Sequence, residues 1–337
     1  MFNWFKKSKE PECKNSLQDV SFQSAKQLLY PVSFSRYTDC NKNQTQLDSW
    51  KKSNDFFKEK KYLEAFSEFF IYLNNPVQNS IVWENNNNKI NFEITHGSKI
   101  IRGYADEKVF SAEAKIACFD KPGVAFMRSM MNLNYILKYT RFALHENCIY
   151  LKFDSKAIDA SPNKLYVSLK ELCLEADKQD DLFVTEFSSL LKPVETAHLI
   201  QINDTEKEVK HKYFLKWIKD TLAKISEWDE ERMNGAISFL LLRLAFKIDA
   251  LIVPQGKLSY DLEKMQTSYF AKDNKSPVEK ARFMRDEFKR ISELPKEELF
   301  QSLYSVKSTF GIVQAATHKQ VYEFMLDEFT KTDWYKT

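Results

Sequence analysis

Five carboxylates near the middle of the chain form its densest group of residues suited to acid–base or cation chemistry: Glu171, Glu175, Asp177, Asp180 and Asp181. An i, i+4 spacing places the first two on one face of a helix, and Asp177 with Asp181 on a neighbouring face. An acid–base pair needs desolvation to separate the pKa values of its two carboxyl groups. Because Lys170 and Lys178 flank the group, the pattern favours a solvated helix end over a catalytic pair.

Histidine and cysteine spacing predicts no metal site. The five histidines are scattered and form no H-E-x-x-H motif. His96 falls in a predicted hairpin turn, where a turn role is the simpler interpretation. The cysteines are widely separated and include no C-x-x-C pair: Cys13, Cys40, Cys118, Cys148 and Cys173. We therefore expect free or buried thiols in a reducing compartment rather than a disulfide framework.

Catalytic and nucleotide-binding signatures are missing from the sequence. It contains no G-x-S-x-G, no P-loop and no G-x-G-x-x-G, and only six glycines occur in 337 residues. These observations predict a non-catalytic protein without a cofactor. The alternative is an enzyme whose site is assembled from dispersed carboxylates and histidines at the seam between two halves of the chain.

Residues from Lys89 onward predict an antiparallel sheet with one wet face. Ile90, Phe92 and Ile94 alternate with polar residues, and two further strands are expected at 99–104 and 110–118. A helix over 124–139 and a two-stranded hairpin, which turns near Glu146-Asn147, follow. Ser161-Pro162 then supplies an N-cap hydroxyl and a first-turn proline for a last helix.

A pair of helices is predicted before this sheet. Trp50, Asn54 and Phe57 line the first, and an apolar stripe from Tyr62 to Leu73 lines the second. With the small Ala65 at its centre, the pair resembles a single tetratricopeptide-type unit. Stacked repeats need about three units to bury a continuous core. No second copy follows, so we expect the pair to pack on the sheet module.

The order of helix, three strands, helix, two strands and helix resembles the YbjN-like, type III secretion chaperone-like family over about residues 89–187. The matching stretches are Met131-Asn132-Leu133-Asn134, Arg141-Phe142-Ala143-Leu144, Ile149-Tyr150-Leu151-Lys152-Phe153, and the Ser161-Pro162 helix to Asp177-Lys178-Gln179-Asp180-Asp181. The resemblance implies an α+β fold in which helices pack on an antiparallel sheet. It also implies a non-catalytic, often dimeric platform for partner polypeptides. No functional residue carries over, because no motif defines the family's binding surface.

Four apolar residues on the helix after the sheet are the candidate partner-binding residues: Phe126, Met127, Met130 and Met131. Methionines are flexible and suit surfaces that accept varied partners. A helix packed on a sheet needs such an apolar face for its own core, so core packing is the competing interpretation. The outer edge of the sheet could also accept an extended peptide as an added strand.

The chain divides into three predicted parts: a polar, loosely ordered arm (1–49), a helical hairpin with the α+β module (50–192), and an all-helical domain (193–337). Within the last part, Ser276-Pro277-Val278-Glu279 predicts a capping box. Asp229 is expected to cap a helix, and Thr317 or His318 to begin the final one.

Charge and hydropathy favour a protein partner. The net charge of +3 gives no strong field towards nucleic acid. The most apolar run, 239–253, is interrupted by charges and is shorter than the roughly 20 residues of a membrane span. The aromatic and basic N-terminus lacks the apolar stretch of a secretory signal. We therefore expect a cytoplasmic factor that holds a partner polypeptide, without nucleic-acid binding or membrane insertion. The resemblance implies a bacterial source and homodimerisation.

Overall fold

The computed structural model describes residues 34, 36–39, 42–194, 197, 199–311 and 318–332. Residues 1–33 of the predicted arm lie outside this part. The first helix, α1 (Gln44–Lys58), begins earlier than the predicted start at Trp50. Asn43 and Gln46 cause the earlier start, because each side chain accepts a hydrogen bond from the other residue's backbone N–H, which forms a capping box.

The second helix, α2 (Tyr62–Leu73), completes the predicted hairpin and packs on the sheet as expected. The Ser53 hydroxyl of α1 donates to the Ala65 carbonyl across 2.6 Å, so small side chains let the two helices approach closely. On the other side of α2, the Phe70 ring lies 4.8 Å from Phe92, and the Phe66 ring lies 5.3 Å from Phe110. The hairpin therefore contributes aromatic side chains to the core of the sheet.

Seven strands form one antiparallel sheet, in the order β1-β2-β3-β4-β6-β5, with β7 paired to β4. Their bounds are β1 (Ile81–Asn86), β2 (Lys89–His96), β3 (Lys99–Ala105), β4 (Val109–Phe119), β5 (Arg141–His145), β6 (Cys148–Lys156) and β7 (Leu191–Pro193). β6 pairs with one side of β4 along most of the length of β4. β3 and β7 share the other side, where β3 pairs with the first half of β4 and β7 with its last three residues. The antiparallel sheet confirms the predicted α+β fold class.

Two faces of this sheet differ sharply in polarity, as strand alternation predicts. Ile90, Phe92 and Ile94 point into the core, whereas Glu93 points outward and pairs with Arg102 across 2.8 Å. The inner face is covered by α2 and by α4 (Pro162–Glu186), which begins at the predicted Ser161-Pro162. Helix α3 (Val124–Ile136) lies beside the edge strand β5.

Two-residue turns with positive φ close the outer hairpins. Asn87 and Asn88 have φ of 50° and 61°, and Glu146 and Asn147 have φ of 48° and 58°. Asparagine tolerates this left-handed conformation, which type I′ hairpin turns require at both central positions. The Glu146-Asn147 turn confirms the prediction. The Asn85–Asn88 run ends β1 and turns the chain into β2.

Cys118 and Cys148 face each other on β4 and β6 and form a disulfide. The expectation that the cysteines are free thiols is therefore wrong for this pair. The two residues are 30 positions apart, and only the strand register brings them together. Cys173, in α4, is a free and buried thiol, as expected.

All but the last of the remaining helices pack around a second hydrophobic core, which includes Phe214, Ile237, Leu262 and Phe288. None of the described residues of the last helix belongs to either core. The bounds of the remaining helices are α5 (Asp204–Ser226), α6 (Asn234–Leu251), α7 (Gly256–Phe270), α8 (Pro277–Ser292), α9 (Lys296–Gln301) and α10 (His318–Thr332). A short strand pair, β8 (Ile200–Gln201) and β9 (Tyr304–Ser305), joins the ends of this region.

Of the two helix caps predicted in this region, the structure confirms one. Ser276 and Glu279 form both bonds of the predicted capping box at the start of α8. Asp229 is not the predicted helix cap, because its carboxylate accepts from the Glu231 and Arg232 N–H groups in the turn before α6. Within the described ranges, no helix is long and apolar enough to span a membrane.

From Phe34 onward the chain forms one compact unit that contains both cores. Residues after β9 return to the sheet, where the Thr309 hydroxyl donates to the Ser80 hydroxyl and Phe310 enters the first core. The helical region and the sheet thus share a segment. The division of the chain after residue 192 stays a prediction.

The disulfide gives a first testable expectation. Replacing both Cys118 and Cys148 with serine should lower the free energy of unfolding by about 3–4 kcal/mol, because the unfolded chain loses a closed loop of this length. Urea denaturation under non-reducing conditions measures the loss. Dithiothreitol should destabilise the wild type to a similar extent and leave the double variant unchanged. Equal stability of the reduced and oxidised wild type would contradict the pairing.

Candidate partner-binding site

The inner face of α3 is fixed in the core of the sheet. Phe126 is fully buried, and its ring centroid lies 5.2 Å from Phe119 of β4 and 6.4 Å from Phe187 after α4. Met130, one turn further on, is also buried. A side chain at Gly123, the residue before the helix, would collide with the Phe126 ring. The start of α3 therefore sits close against the sheet.

Polar contacts fix the other end of the same helix. The Asn134 side chain pairs with the backbone of Phe142 in β5, accepting from its N–H at 2.6 Å and donating to its carbonyl at 3.2 Å. Glu171 of α4 accepts from the backbone N–H groups of three consecutive residues, 138–140, at 2.7–2.9 Å. These bonds satisfy backbone donors beyond the helix and hold α3 in one orientation.

The outer face of α3 is apolar and exposed to solvent. Val124 is 74% exposed, Met127 38%, Met131 73% and Tyr135 93%, and these four side chains constitute the α3 patch. Their spacing of i, i+3, i+7 and i+11 places them on one stripe, opposite Phe126 and Met130. An apolar stripe is expected to face a partner, since leaving it in water gains nothing for folding.

Two of the four predicted partner-binding residues lie on this outer face, and two do not. Met127 and Met131 belong to the α3 patch, whereas Phe126 and Met130 are core residues. Whether any of them binds a partner stays a prediction. The sequence interpretation missed Val124 and Tyr135. The sequence does contain a signal for them. The helix has one apolar stripe, with Phe126 and Met130, that is enough to pack on the sheet, and Val124 and Tyr135 belong to a second apolar stripe.

Most of the carboxylates that sequence spacing grouped into a solvated helix end are instead anchors, so that expectation is wrong. Glu171 caps the segment after α3. Asp180 forms an ion pair with Lys99, whose Nζ lies 2.9 Å from Asp180 Oδ2, with both side chains buried. Asp177 accepts from the N–H and hydroxyl of Ser98. Spacing along the helix does not show that the β2–β3 turn packs on Asp177 and Asp180.

Gly97 lets this turn approach α4. Its φ of +60° is left-handed, and a Cβ there would overlap the Asp177 carboxylate. The Gly97 N–H donates to the Lys307 carbonyl at 2.9 Å, and the Ser98 carbonyl accepts from the Ala197 N–H. The turn thus binds α4 and two segments of the later chain at one point.

His96 ends β2 inside this junction. Its Nδ1 accepts from the Thr309 N–H at 3.2 Å, and its ring lies 6.3 Å from Phe310. Burial and the nearby Lys170 charge lower the pKa of the imidazole from 6.5 to about 4, against the opposing effect of Asp39. The imidazole is therefore neutral at pH 7. Its place at the end of the hairpin agrees with the expected turn role.

A pocket of about 200 Å³ lies between α4 and α7. Its charged lining residues are Glu175, Asp177 and Lys178 of α4, Glu263 of α7, and Arg36, and the tyrosines Tyr260 and Tyr304 lie beside them. Lys178 Nζ and Glu263 Oε1 are 2.8 Å apart, so an ion pair joins the two walls. Within the residues that the structure describes, no group of three or more His, Cys, Asp or Glu is placed to hold a metal ion.

No protein-family model matches this chain. A search of curated proteins finds no match either. The function of the α3 patch and of the pocket between α4 and α7 is therefore argued from their own chemistry, and the YbjN-like resemblance stays a prediction.

The buried imidazole makes stability depend on pH. Because His96 has a lower pKa when folded than when unfolded, its contribution is complete above about pH 6.5 and is lost as the pH falls towards 4, by up to about 3 kcal/mol. His96→Asn keeps an acceptor near the Thr309 N–H without titrating in this range.

Urea unfolding at pH 7 and at pH 4.5 tests this expectation. The loss of stability between the two pH values should be smaller in His96→Asn than in the wild type. Equal losses in both proteins would show that His96 does not titrate as its burial requires.

Proposed function

We propose that this protein is a non-catalytic protein-binding or chaperone-like factor that reversibly holds a partner polypeptide. The observation that carries the proposal is the exposed apolar stripe of the α3 patch on a helix whose opposite face is already buried. The YbjN-like resemblance accords with this role and belongs to the same proposal. A cytoplasmic location belongs to it too, and in that reducing compartment Cys118 and Cys148 would be two thiols rather than a disulfide.

The chemistry of the α3 patch suits reversible binding. Full burial of a valine or methionine contributes about 1.5–3 kcal/mol, from which association subtracts a substantial entropic cost. Two of the four side chains are methionines, which adapt to partners of different shape. The backbone of α3 is fixed by Phe126, Asn134 and Glu171, so binding orders side chains without reorganising the helix.

A partner with an amphipathic helix fits this surface best. The patch runs straight along one helix, and helices recognise such surfaces through residues spaced i, i+3 or i+4 and i+7. Basic side chains of Arg128 within α3, and of Lys121 and Lys138 beside it, favour a partner with acidic residues flanking its apolar stripe.

The pocket between α4 and α7 supports a second candidate function, an enzyme or small-ligand site at the seam. Its lining carries carboxylates, a lysine and two tyrosines. Lys178 is paired with Glu263, and Asp177 bonds Ser98, so both residues already have structural roles. The protein-binding proposal is preferred because the α3 patch has no structural role in the described fold.

Photo-crosslinking in cells tests the proposal. A photoreactive amino acid in place of Tyr135 should form covalent adducts with other polypeptides, identified by mass spectrometry. Val77 is the matched control, because it is also apolar and highly exposed but lies before β1, away from α3. Met131→Glu should suppress the adducts at position 135, because a charge in the patch opposes burial.

Ala125→Glu adds the same charge to α3 away from the stripe and should leave the adducts unchanged. Equal yields of adducts from positions 135 and 77, or adducts insensitive to Met131→Glu, would contradict a binding role for the patch.

A further inference from the structure

A second pocket, of about 220 Å³, lies between α5 and α6, and its charged residues are mostly basic. Lys224 of α5 and Arg243 and Lys247 of α6 line it, together with one acidic residue, Asp220. Three cationic side chains and one carboxylate give this α5–α6 pocket a net charge of +2 at pH 7. The pocket therefore suits an anion.

The positive charge of the α5–α6 pocket is not neutralised within the chain. Among the residues that the structure describes, Lys224, Arg243 and Lys247 form no ion pair. The Lys247 Nζ instead lies over the Trp217 ring, 4.0 Å from its centroid, and a cation–π contact leaves the charge in place. Arg243 and Lys247 are four residues apart on α6, a spacing at which like charges destabilise a helix. The pocket thus retains positive charge that the fold does not need.

The pKa of Lys247 reflects the same excess of positive charge. Burial and the charges of Arg243 and Lys216 lower this pKa from its ordinary value of 10.5, against the opposing effect of Asp220. The groups that act on Lys247 from α5 and α6 are therefore more basic than acidic. An anion in the pocket would relieve this repulsion, because an opposite charge stabilises the charged form of a lysine.

The charge of the pocket favours a phosphate group over a carboxylate. A phosphate monoester carries about −1.5 to −2 at pH 7, which balances the net charge of +2, whereas a carboxylate supplies a single charge. Arginine donates two parallel N–H groups to phosphate oxygens, and lysines act as point charges beside it. The apolar lining, which includes Trp217 and Leu240, offers a surface for the organic part of such an ester.

We infer that the α5–α6 pocket binds a phosphate monoester, whose phosphate is held by Arg243 and the two lysines and whose organic part lies against Trp217. The pocket borders the second core, whereas the α3 patch is on a helix that packs on the first core. The proposed function and this site can therefore fail independently of each other.

The same phosphate chemistry occurs in soluble esters and in the head group of phosphatidic acid. Phe239 and Phe246 flank Arg243 on α6 and are 57% and 44% exposed. Exposed aromatic side chains beside basic ones are also found on helices that lie at a membrane surface. The experiment therefore includes a soluble probe and a lipid probe.

Isothermal titration calorimetry of the full chain with phenyl phosphate, at pH 7 and about 0.15 M salt, tests the soluble form. Arg243→Gln should weaken binding at least about tenfold, because a charged hydrogen-bond donor to the phosphate is lost. Lys219→Gln removes the same charge from an exposed position of α5 outside the pocket and should bind as the wild type does. Benzoate, with the same ring and a single charge, should bind at least about tenfold more weakly than phenyl phosphate.

A variant that gains affinity distinguishes loss of binding from loss of folding. Asp220→Asn should tighten the binding of phenyl phosphate about fivefold, because it removes one repulsive charge from the pocket. Asp204→Asn, at the start of α5 and more than four turns away, should leave the affinity unchanged.

Cosedimentation with phosphatidylcholine vesicles, with and without phosphatidic acid, tests the lipid form. Retention only on vesicles that contain phosphatidic acid, and its loss in Arg243→Gln, would support the site with a lipid head group as its source. Binding of phenyl phosphate without retention on vesicles would support the site with a soluble ester.

Four results overturn the inference. The first is a wild type that binds neither phenyl phosphate nor the phosphatidic acid vesicles. The others are equal binding by Arg243→Gln and the wild type, weaker binding by Asp220→Asn, and benzoate that binds as tightly as phenyl phosphate.

Discussion

The fold depends on the buried junction between the β2–β3 turn and α4. Lys99 and Asp180 are buried and form an ion pair, and Asp180 also accepts from the Ser98 hydroxyl at 2.8 Å. Loss of one partner of a buried ion pair typically costs about 3–5 kcal/mol. Gly97 permits the close approach, and Asp177 bonds the backbone next to it. The register of the hairpin on α4 is therefore fixed by charge and sterics together, beyond what apolar packing alone can specify.

Helix α4 then positions the other elements through carboxylates and a lysine spaced along it. Glu171 fixes the segment after α3, Asp177 and Asp180 hold the β2–β3 turn, and Lys178 pairs with Glu263 of α7. The orientation of the α3 patch and the width of the pocket between α4 and α7 both follow from this one helix. Polar side chains on different faces of one helix thus join the sheet, the edge helix and the helical region.

Local sequence signals predicted much of the fold, and long-range packing accounts for what they missed. Period-two alternation predicted β2 to β4, and Ser161-Pro162 and Ser276–Glu279 predicted two helix starts. These signals depend only on residues that are neighbours in the sequence. β1 was missed since its asparagine-rich end resembles a loop until β2 pairs with it. The carboxylates of α4 resemble a solvated helix end until the β2–β3 turn buries Asp180. The disulfide required the register of two strands 30 residues apart.

The exposure of the α3 patch follows from the position of α3 in the sheet. β5 is the last strand in the order, so the helix beside it has the core on one side and solvent on the other. At the opposite edge, α2 contacts β1 and buries its own aromatic residues Phe66, Phe69 and Phe70, and α1 packs against α2. A helix at the β5 edge could have carried polar residues outward at no cost to folding. Val124, Met131 and Tyr135 occupy these outward positions instead. Folding does not require apolar side chains there, and this is the reason to propose that they bind a partner.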